Sequence, residues 1–558
     1  MTQPTPPAGA HRSALAIALF AGFAHTAAFA PLNLWWLQPL ALAALLLSCR
    51  GAPAGRGRRH AALCGLAFGF AWFVSGVAWV YVSMHRYGGM PAPMAGAALM
   101  LFAAYLGAFA AASLAASARA LQHAFAGPSA RALLTAALCF AACWGAGEML
   151  RGWLFTGFPW LSSGYAHTDG PLAGLAPIVG VHGVGMLAAL VAAGLAFAIA
   201  AAWDHRRARN SARPAAAAAP AATTATATAT ATATGTGTTP ATGRGAAFGA
   251  AAALVLLPLL VGAALSPIRW AEETGEPIRV RLVQGNVPQQ MKFEPETVIA
   301  AMRAYAAAIA AEPPTDLVVL PETAWTVSWS RTPVAIAQEI VAGLGARGGI
   351  AAIGMPLPAE TRDGRPTLAN SVAAIGGDGP LDWRYDKRHL VPFGEFVPPG
   401  FGWFVRMMEI PLGDFGRGGP RQPALAVGDQ RLGFNICYED IFGEELAPQV
   451  RGGATILVNV SNIAWFGDSH ALPQHLQIAR MRAIELARPM LRATNTGMTA
   501  SIDARGRVLA VLPTQAAGSL DAELRGTVGL TPFARFGMLA PLAALAVMAA
   551  GFVALRRR

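Results

Sequence analysis

The chain has 558 residues, of which 54% are hydrophobic and only 13% charged, with a formal net charge of +12. This composition excludes an ordinary soluble globular protein, and the length allows two or more domains. The positive charge alone would suit a nucleic-acid-binding protein. However, most of the arginines in the first half flank long apolar segments, and the sequence has no nucleic-acid motif and no glycine-rich phosphate loop.

Eight long apolar segments predict helices that cross a membrane. Each is close to or above the roughly 20 residues that an α-helix needs to span a bilayer. Seven precede one large polar region and the eighth follows it, at 13–30, 32–49, 61–84, 93–118, 132–150, 179–203, 246–265 and 537–555. The sequence therefore predicts a seven-span bundle over 1–265 and a closing span with a basic tail over 537–558.

The arginines predict how this bundle is oriented. The odd-numbered loops among the first six segments hold only Arg86 and Arg151, whereas the termini and even-numbered loops hold Arg12, Arg50, Arg56, Arg58, Arg59, Arg119, Arg131, Arg206, Arg207, Arg209, Arg213, Arg244, Arg556, Arg557 and Arg558. Because arginine-rich loops stay in the cytoplasm, both termini are predicted to be cytoplasmic. An odd number of preceding spans then places the polar region in the periplasm of a bacterial inner membrane.

Two smaller features of the bundle carry their own expectations. An Ala-Thr-rich run, 214–243, has no large apolar side chain, so the cytoplasmic loop 205–244 is predicted to be disordered. Glu148 and Arg151 lie one helical turn apart near the outer end of the fifth segment. Their spacing predicts an interfacial ion pair with no further role.

The polar region alternates strand and helix patterns. Strands are predicted at 278–284, 317–320, 350–355, 432–437, 455–460, 491–494 and 499–503, and helices at 296–311, 334–346, 444–450 and 471–487. This alternation favours an α/β domain over 278–526, with helices covering the sheets. Loops at the carboxyl ends of such strands are where chemistry is usually carried.

Three strand ends bear reactive side chains: Glu322 follows strand 317–320, Cys437 ends strand 432–437, and Lys387 lies in the segment 385–398, which is interpreted as one more strand end. Taken singly, each has a common structural interpretation: Glu322 as a helix cap or part of a solvated turn, Lys387 as a solvated surface charge and Cys437 as a small buried hydrophobe. Together they supply a carboxylate to take a thiol proton, an ammonium to stabilise an oxyanion, and a nucleophile. Burial is expected to raise the pKa of Glu322, as suits a base, and the nearby cation to lower the pKa of Cys437.

These segments resemble the nitrilase superfamily, and with the apolar spans the chain is similar to the family of bacterial apolipoprotein N-acyltransferases. The motifs that carry the resemblance are the three strand ends together with 157–161 (Gly-Phe-Pro-Trp-Leu), 284–289 (Gln-Gly-Asn-Val-Pro-Gln), 461–467 (Ser-Asn-Ile-Ala-Trp-Phe-Gly), 474–475 (Gln-His) and 480–483 (Arg-Met-Arg-Ala). In one place the chain departs from the family, which often has a tryptophan where Phe293 follows Lys292. Only an aromatic contact is expected there.

The resemblance implies a multi-span α-helical membrane bundle that carries a nitrilase-like four-layer α-β-β-α sandwich. It implies that Glu322 is the general base, Lys387 the oxyanion stabiliser and Cys437 the nucleophile. It also implies that three further residues support the active site: Glu395, Tyr438 and Glu439.

The reaction implied by the resemblance is a ping-pong acyl transfer. Cys437 would take an acyl chain from a membrane phospholipid as a thioester and pass it to the α-amino group of a diacylated apolipoprotein. No cofactor and no metal are expected. Two alternatives remain open: a membrane-tethered amidase or nitrile hydrolase with water as the acceptor, and a non-catalytic receptor or transporter built on the same fold.

A last apolar cluster lies between the lysine and cysteine motifs. Its density of large side chains suggests a lid or a lipid-contacting surface, although packing onto the domain core is an equal alternative. The residues concerned are Trp403, Phe404, Met407 and Met408.

Overall fold

The computed structural model describes residues 8–50, 56–217, 241–361, 364–397, 400, 402 and 415–557. The N-terminal half is helical. Its α-helices are Ala8–Thr26, Leu37–Ser48, Gly57–Gly76, Trp79–Val82, Ala92–Ala126, Ala130–Arg151, Ala176–Ala217 and Ala241–Leu265. A π-helical turn, Ser83–Tyr87, follows the fourth helix, and short 3₁₀ turns, Leu154–Thr156, Ser163–His167 and Pro171–Leu175, lie between the sixth and seventh.

Within the described part of the chain, five helices are long and apolar enough to cross a membrane. They lie at Ala92–Ala126, Ala130–Arg151, Pro171–Asn210, Gly245–Leu265 and Leu539–Arg557. A sixth results if Gly57–Gly76 and Trp79–Tyr87, which are bent by 52° relative to each other, form one span. The second predicted span contains a helix of only 12 residues, Leu37–Ser48, which is shorter than a bilayer requires.

The structure describes parts of the predicted loop and the whole of the predicted ion pair. Helices reach Ala217 on one side and begin at Ala241 on the other, so both ends of the predicted disordered loop 205–244 are helical. Alanine, which has the highest helix propensity, is frequent at both ends; residues 218–240 lie outside the described ranges. The predicted ion pair of Glu148 and Arg151 is present at 3.7 Å, and both residues are buried inside the bundle, only 4% and 2% exposed.

The described residues of the polar region form two six-stranded sheets. The first has the order β12-β1-β2-β3-β4-β5 and the second β11-β10-β9-β8-β7-β6. The strands are β1 (Glu272–Gln284), β2 (Leu317–Val319), β3 (Ile350–Glu360), β4 (Pro366–Gly376), β5 (Gly379–Asp386), β6 (Leu425–Val427), β7 (Gln430–Ile436), β8 (Ile456–Ser461), β9 (Met490–Thr494), β10 (Ala500–Ile502), β11 (Val508–Val511) and β12 (Gly518–Val528). Within the described residues, α-helices of this region lie at Pro295–Ala310, Val334–Gly345, Gly443–Arg451 and Ala471–Leu486, and after it come Pro532–Phe536 and Leu539–Arg557.

Side-chain alternation along the strands stacks these elements into four layers. On β1, Val280 and Leu282 join the core between the two sheets, whereas Val283 faces the helices Pro295–Ala310 and Val334–Gly345. On the second sheet, Val458 faces the same central core and Leu457 packs under the helices Gly443–Arg451 and Ala471–Leu486. The period of two is what one strand needs to serve two cores. The predicted α-β-β-α sandwich on a helical bundle is confirmed.

The helix Ala471–Leu486 seats the sandwich on the bundle. Gln474 accepts a hydrogen bond from the Trp160 indole at 2.7 Å and donates one to the carbonyl of Gly76 at 3.1 Å. One turn further on, Gln477 accepts a hydrogen bond from the backbone N–H of Ala30 at 3.2 Å. Because residues three and four apart lie on the same face of a helix, Gln474 and Gln477 form one polar face, of the kind that usually meets water. Here it meets the bundle instead.

Candidate active site

The fold brings Glu322 and Lys387 together at one edge of the first sheet. Strands β2 and β3 are parallel. Strand β4 is antiparallel to both β3 and β5, so β5 runs in the same direction as β2 and β3. Their carboxyl ends therefore share an edge. The ammonium of Lys387 lies 3.1 Å from Glu322 Oε1 and 3.0 Å from Glu395 Oε1, and all three side chains are buried.

Two asparagines that the sequence analysis did not single out complete this cluster. The amide of Asn370, on β4, donates to Glu322 Oε1 at 2.6 Å and to Glu395 Oε1 at 2.7 Å. The backbone N–H of Asn462, after β8, donates to Glu322 Oε2 at 2.7 Å. Charge-assisted hydrogen bonds of this length fix the orientation of the carboxylate. Glu322 is thus held by both sheets.

The protonation state of Glu322 differs from the expectation. Burial raises its pKa, but the Lys387 ammonium and the hydrogen bonds from Asn370 and Asn462 outweigh burial, so the pKa lies below its ordinary value. Burial also lowers the pKa of Lys387, but the carboxylates of Glu322 and Glu395 outweigh it and raise that pKa well above the ordinary value. At neutral pH the site therefore holds an ionised carboxylate beside an ammonium.

Cys437 begins the turn that follows β7, and the residue as a whole is half-buried. Its φ of 55° is a left-handed conformation, which is uncommon outside glycine and clusters at functional sites. Desolvation and then the charge of Glu322 raise the pKa of the thiol to about 12, although Lys387 and a hydrogen bond with Ser461 act in the opposite direction. Lys387 thus lowers the pKa as expected, but burial and Glu322 outweigh it, so the resting group is a thiol and not a thiolate.

Glu439 joins the nucleophile turn to the lysine loop. Its Oε2 accepts hydrogen bonds from the backbone N–H of Ile436 at 2.6 Å and the Tyr385 hydroxyl at 2.9 Å. Its Oε1 accepts from the backbone N–H groups of Arg388 at 2.7 Å and His389 at 3.1 Å. Four donors on one buried carboxylate hold the residue before Cys437 against the residues after Lys387. The neighbouring Tyr438 hydroxyl instead reaches the bundle.

Three buried side chains, His475, Asp440 and Arg492, form a hydrogen-bonded group beside the carbonyl of Cys437. His475 Nε2 lies 2.8 Å from Asp440 Oδ1 and 3.3 Å from the Cys437 carbonyl oxygen. An Arg492 guanidinium nitrogen lies 3.0 Å from His475 Nδ1, and another donates to Asp440 at 2.6 Å. Arginine can only donate, so Nδ1 accepts and the proton of the neutral imidazole is on Nε2. Burial lowers the pKa of His475, which agrees with this neutral tautomer.

Lys292 is a second site lysine, although the sequence analysis expected only an aromatic contact at the following position. Its ammonium donates to Thr323 Oγ1 at 2.7 Å and to the Glu322 carbonyl at 3.3 Å, and only 4% of the residue is exposed. Phe293 is 68% exposed. Desolvation lowers the pKa of Lys292 to about 8, against attraction from Glu322 and Cys437. Lys292 thus fixes the turn in which Thr323 has a φ of 49°.

The structure therefore brings together six of the predicted site residues: Glu322, Lys387, Glu395, Cys437, Tyr438 and Glu439. The other four, in the suggested lid, lie outside the described residues: Trp403, Phe404, Met407 and Met408. Of the residues that were missed, Lys292, Asn462 and His475 lay within or beside quoted motifs. Asn370 gave the weaker signal of one amide inside a mostly apolar strand.

The two stacked sheets with their covering helices, and a buried carboxylate and ammonium on one sheet beside a cysteine on the other, fit an enzyme of the carbon-nitrogen hydrolase class. Residues 279–533 match the carbon-nitrogen hydrolase family, and residues 21–194 match the apolipoprotein N-acyltransferase N-terminal domain. The yeast Nit3 structure, from the nitrilase superfamily, is similar with a TM-score of 0.35 at 20% identity, over 46% of this chain and 93% of Nit3.

Relatives match almost the whole chain. An apolipoprotein N-acyltransferase of Ralstonia nicotianae is 44% identical over 98% of this chain and 94% of its own length. One from Bordetella bronchiseptica is 42% identical over 97% of each. The chain belongs to the apolipoprotein N-acyltransferase family, which confirms the resemblance drawn from its motifs.

Proposed function

We propose that this protein transfers an acyl chain from a membrane phospholipid to the α-amino group of a diacylated apolipoprotein, through a thioester on Cys437. The observation that carries the proposal is the contact of Lys387 with both Glu322 and Glu395, at an edge where their charges act on the Cys437 thiol. The family relationship supplies the two substrates, and the apolar helices support a membrane-integral enzyme.

Acylation begins with a protonated thiol and an ionised carboxylate. Because the pKa of Cys437 is raised and that of Glu322 is lowered, a stable thiolate would not accumulate. Glu322 therefore takes the proton as sulfur attacks the ester carbonyl, which is general-base catalysis within the step. The oxyanion that develops is stabilised by Lys387. When it collapses, the thioester forms, the ester C–O bond breaks, and Glu322 returns the proton to the departing lysophospholipid.

In the transfer step the thiol becomes the leaving group, and the amine of the acceptor is the nucleophile. The free amine of the acceptor attacks the thioester carbonyl, and Lys387 again faces the oxyanion. Glu322 accepts a proton from the attacking nitrogen and delivers it to the sulfur as the C–S bond breaks. An α-amino group with an ordinary pKa near 8 has a usable neutral fraction at pH 7. The products are an N-acylated lipoprotein and the resting thiol.

The membrane bundle suits these substrates physically. Both carry acyl chains, and removing a chain from the bilayer costs about 0.8 kcal/mol for each methylene that leaves it. A site seated directly on the bundle avoids that cost. The arginine bias supports an orientation with both termini in the cytoplasm and the sandwich in the periplasm of a bacterial inner membrane.

The test uses the full chain in phospholipid vesicles with a synthetic diacylglyceryl-cysteine peptide. We expect the peptide to gain one acyl chain and Cys437 to carry an acyl adduct when the peptide is omitted, as detected by mass spectrometry. Cys437→Ser should remove the rapid transfer, whereas the matched variant Cys143→Ser, in the bundle, should retain it. Free fatty acid as the main product would instead identify a hydrolase, and the absence of any adduct on Cys437 would contradict the thioester.

A further inference from the structure

The chain that links the helices Ala130–Arg151 and Ala176–Ala217 contains an unusually strained loop, residues 155–162. Phe155, Thr156 and Leu161 have φ values of 55°, 73° and 59°, which are left-handed conformations that side chains with a Cβ disfavour. Gly157, between them, has a φ of 84°, and a Cβ there would lie 1.9 Å from the carbonyl oxygen of Gly152. Such conformations persist only where surrounding contacts hold them, and they cluster at functional sites.

This loop touches the nucleophile region at two points. The Tyr438 hydroxyl, from the residue after Cys437, donates to the Gly157 carbonyl at 3.1 Å. The Trp160 indole donates to Gln474 at 2.7 Å, and the next residue, His475, lies against the Cys437 carbonyl. A shift of the loop would therefore displace both Tyr438, which follows Cys437, and the helix that carries His475.

Arg151 holds the loop from inside the bundle. One guanidinium nitrogen donates to the carbonyls of Phe158 and Trp160, the latter at 2.9 Å, and another donates to Ser162 Oγ at 3.2 Å. Its partner Glu148, 3.7 Å away, accepts two hydrogen bonds from Ser163, at 2.7 Å from the backbone N–H and 2.9 Å from the hydroxyl.

The position of this pair makes a purely structural role a poor explanation. Ionisable side chains are costly within membrane-spanning helices and usually mark function. Glu148 and Arg151 lie in the last turn of such a helix, and most of their hydrogen bonds go to the loop instead of to another helix. The planar fork of arginine is the group that can bind two carbonyls and a hydroxyl at once.

We propose that Arg151 is a positioning residue for acylation: it fixes loop 155–162 so that the Tyr438 and Gln474 contacts keep Cys437 aligned with Glu322 and Lys387. The proposal rests on the proposed role of Cys437 as nucleophile. It assigns no contact with substrate to Arg151. Loss of the clamp should therefore slow the chemical step and leave phospholipid binding unchanged.

The experiment measures single-turnover acylation of Cys437, per folded molecule, with the full chain in phospholipid vesicles. Arg151→Met should reduce the acylation rate about 10- to 100-fold, the loss that a misplacement near 1 Å produces, with an unchanged half-saturating phospholipid concentration. Tyr438→Phe should slow the same step. Because both changes break one chain of contacts, the double variant should be much less impaired than the product of the two single effects.

Matched variants separate positioning from folding. Arg131→Met lies at the other end of the same helix, where the side chain is exposed and donates to the Leu555 carbonyl; it should acylate at the wild-type rate. Arg151→Lys keeps the charge beside Glu148, so it should fold, but it loses the fork and should acylate at an intermediate rate. A wild-type rate in Arg151→Lys, or multiplicative effects of Arg151→Met and Tyr438→Phe, would overturn the proposal. A wild-type enzyme without an adduct on Cys437 would instead refute the proposed nucleophile.

Discussion

Replacing Asn370 by aspartate should place a third carboxylate in a cluster that has one compensating ammonium in direct contact. The Asn370 amide is 2.6 Å from Glu322 and 2.7 Å from Glu395, so Asn370→Asp converts two attractive contacts into two repulsive ones with almost no change in shape. At an effective dielectric constant near 20, two charges about 4 Å apart interact by about 4 kcal/mol. Lys387 offsets about one of the two new repulsions.

The remaining repulsion, about 4 kcal/mol, corresponds to roughly three pKa units. The cluster should therefore keep a proton at neutral pH, since like carboxylates cannot all ionise. We expect the acid limb of kcat/KM for acylation to move up by about two to three pH units, with activity recovering in alkali. The assay is the pH profile of Cys437 acylation, followed by mass spectrometry of the intact protein.

The matched control is Asn370→Leu, which keeps the approximate shape and removes the same two hydrogen bonds without adding a charge. Each lost charge-assisted bond is worth about 1.5–3 kcal/mol, so this variant should be slower, with a smaller displacement of the acid limb in the same direction. If the acid limb of Asn370→Asp stays at the wild-type position, the carboxylates are not coupled as the distances indicate. Our account of how Glu322 is kept ionised would then be refuted.

Two further predictions concern the close backbone approach at Gly354 and the pKa of Lys292. A Cβ on Gly354 would lie 2.3 Å from the Pro321 carbonyl oxygen, so Gly354→Ala should shift the turn before Glu322 and reduce kcat at least about tenfold; Gly343→Ala, whose nearest contact is at 3.9 Å, should retain full activity, and equal rates would disprove the steric argument. The pKa of Lys292 is lowered from 10.5 to about 8, so between these values the unfolded state holds a proton that the folded state lacks, and stability should rise with pH across that window. Lys292→Met should remove this rise in the melting temperature measured from pH 8 to pH 10.5, and an unchanged slope would show that Lys292 is not desolvated.

Local patterns were enough to predict most elements of the sandwich. Short apolar runs predicted β1 and β8, which are buried on both faces along most of the predicted length, and a longer alanine-rich run predicted the helix Pro295–Ala310. The sequence analysis placed a strand end at Lys387 but did not predict β4 or the bounds of β5, the hairpin that leads to it. That hairpin lies between prolines and glycines that weaken a strand signal.

For the bundle, the sequence predicted less of the detail. Apolar length identified the membrane region, but length alone could not distinguish a full span from the short helix Leu37–Ser48 or from the bend between Gly57–Gly76 and Trp79–Tyr87. Likewise, the spacing of Glu148 and Arg151 predicted their contact and not their burial. Spacing along one helix determines which side chains are neighbours, whereas burial depends on which other elements cover them.

The sequence by itself determined which chemical groups the proposed site contains: a thiol, a carboxylate and an ammonium, each within a few residues of a strand end, in a chain that is rich in long apolar segments. Only the tertiary structure decided their protonation states and their support. Asn370, Lys292 and the backbone of Asn462 come from distant parts of the chain, and they act on Glu322 through contacts of 2.6 to 3.3 Å. Electrostatic free energies depend on distance and burial in three dimensions, and neither quantity is encoded in local spacing.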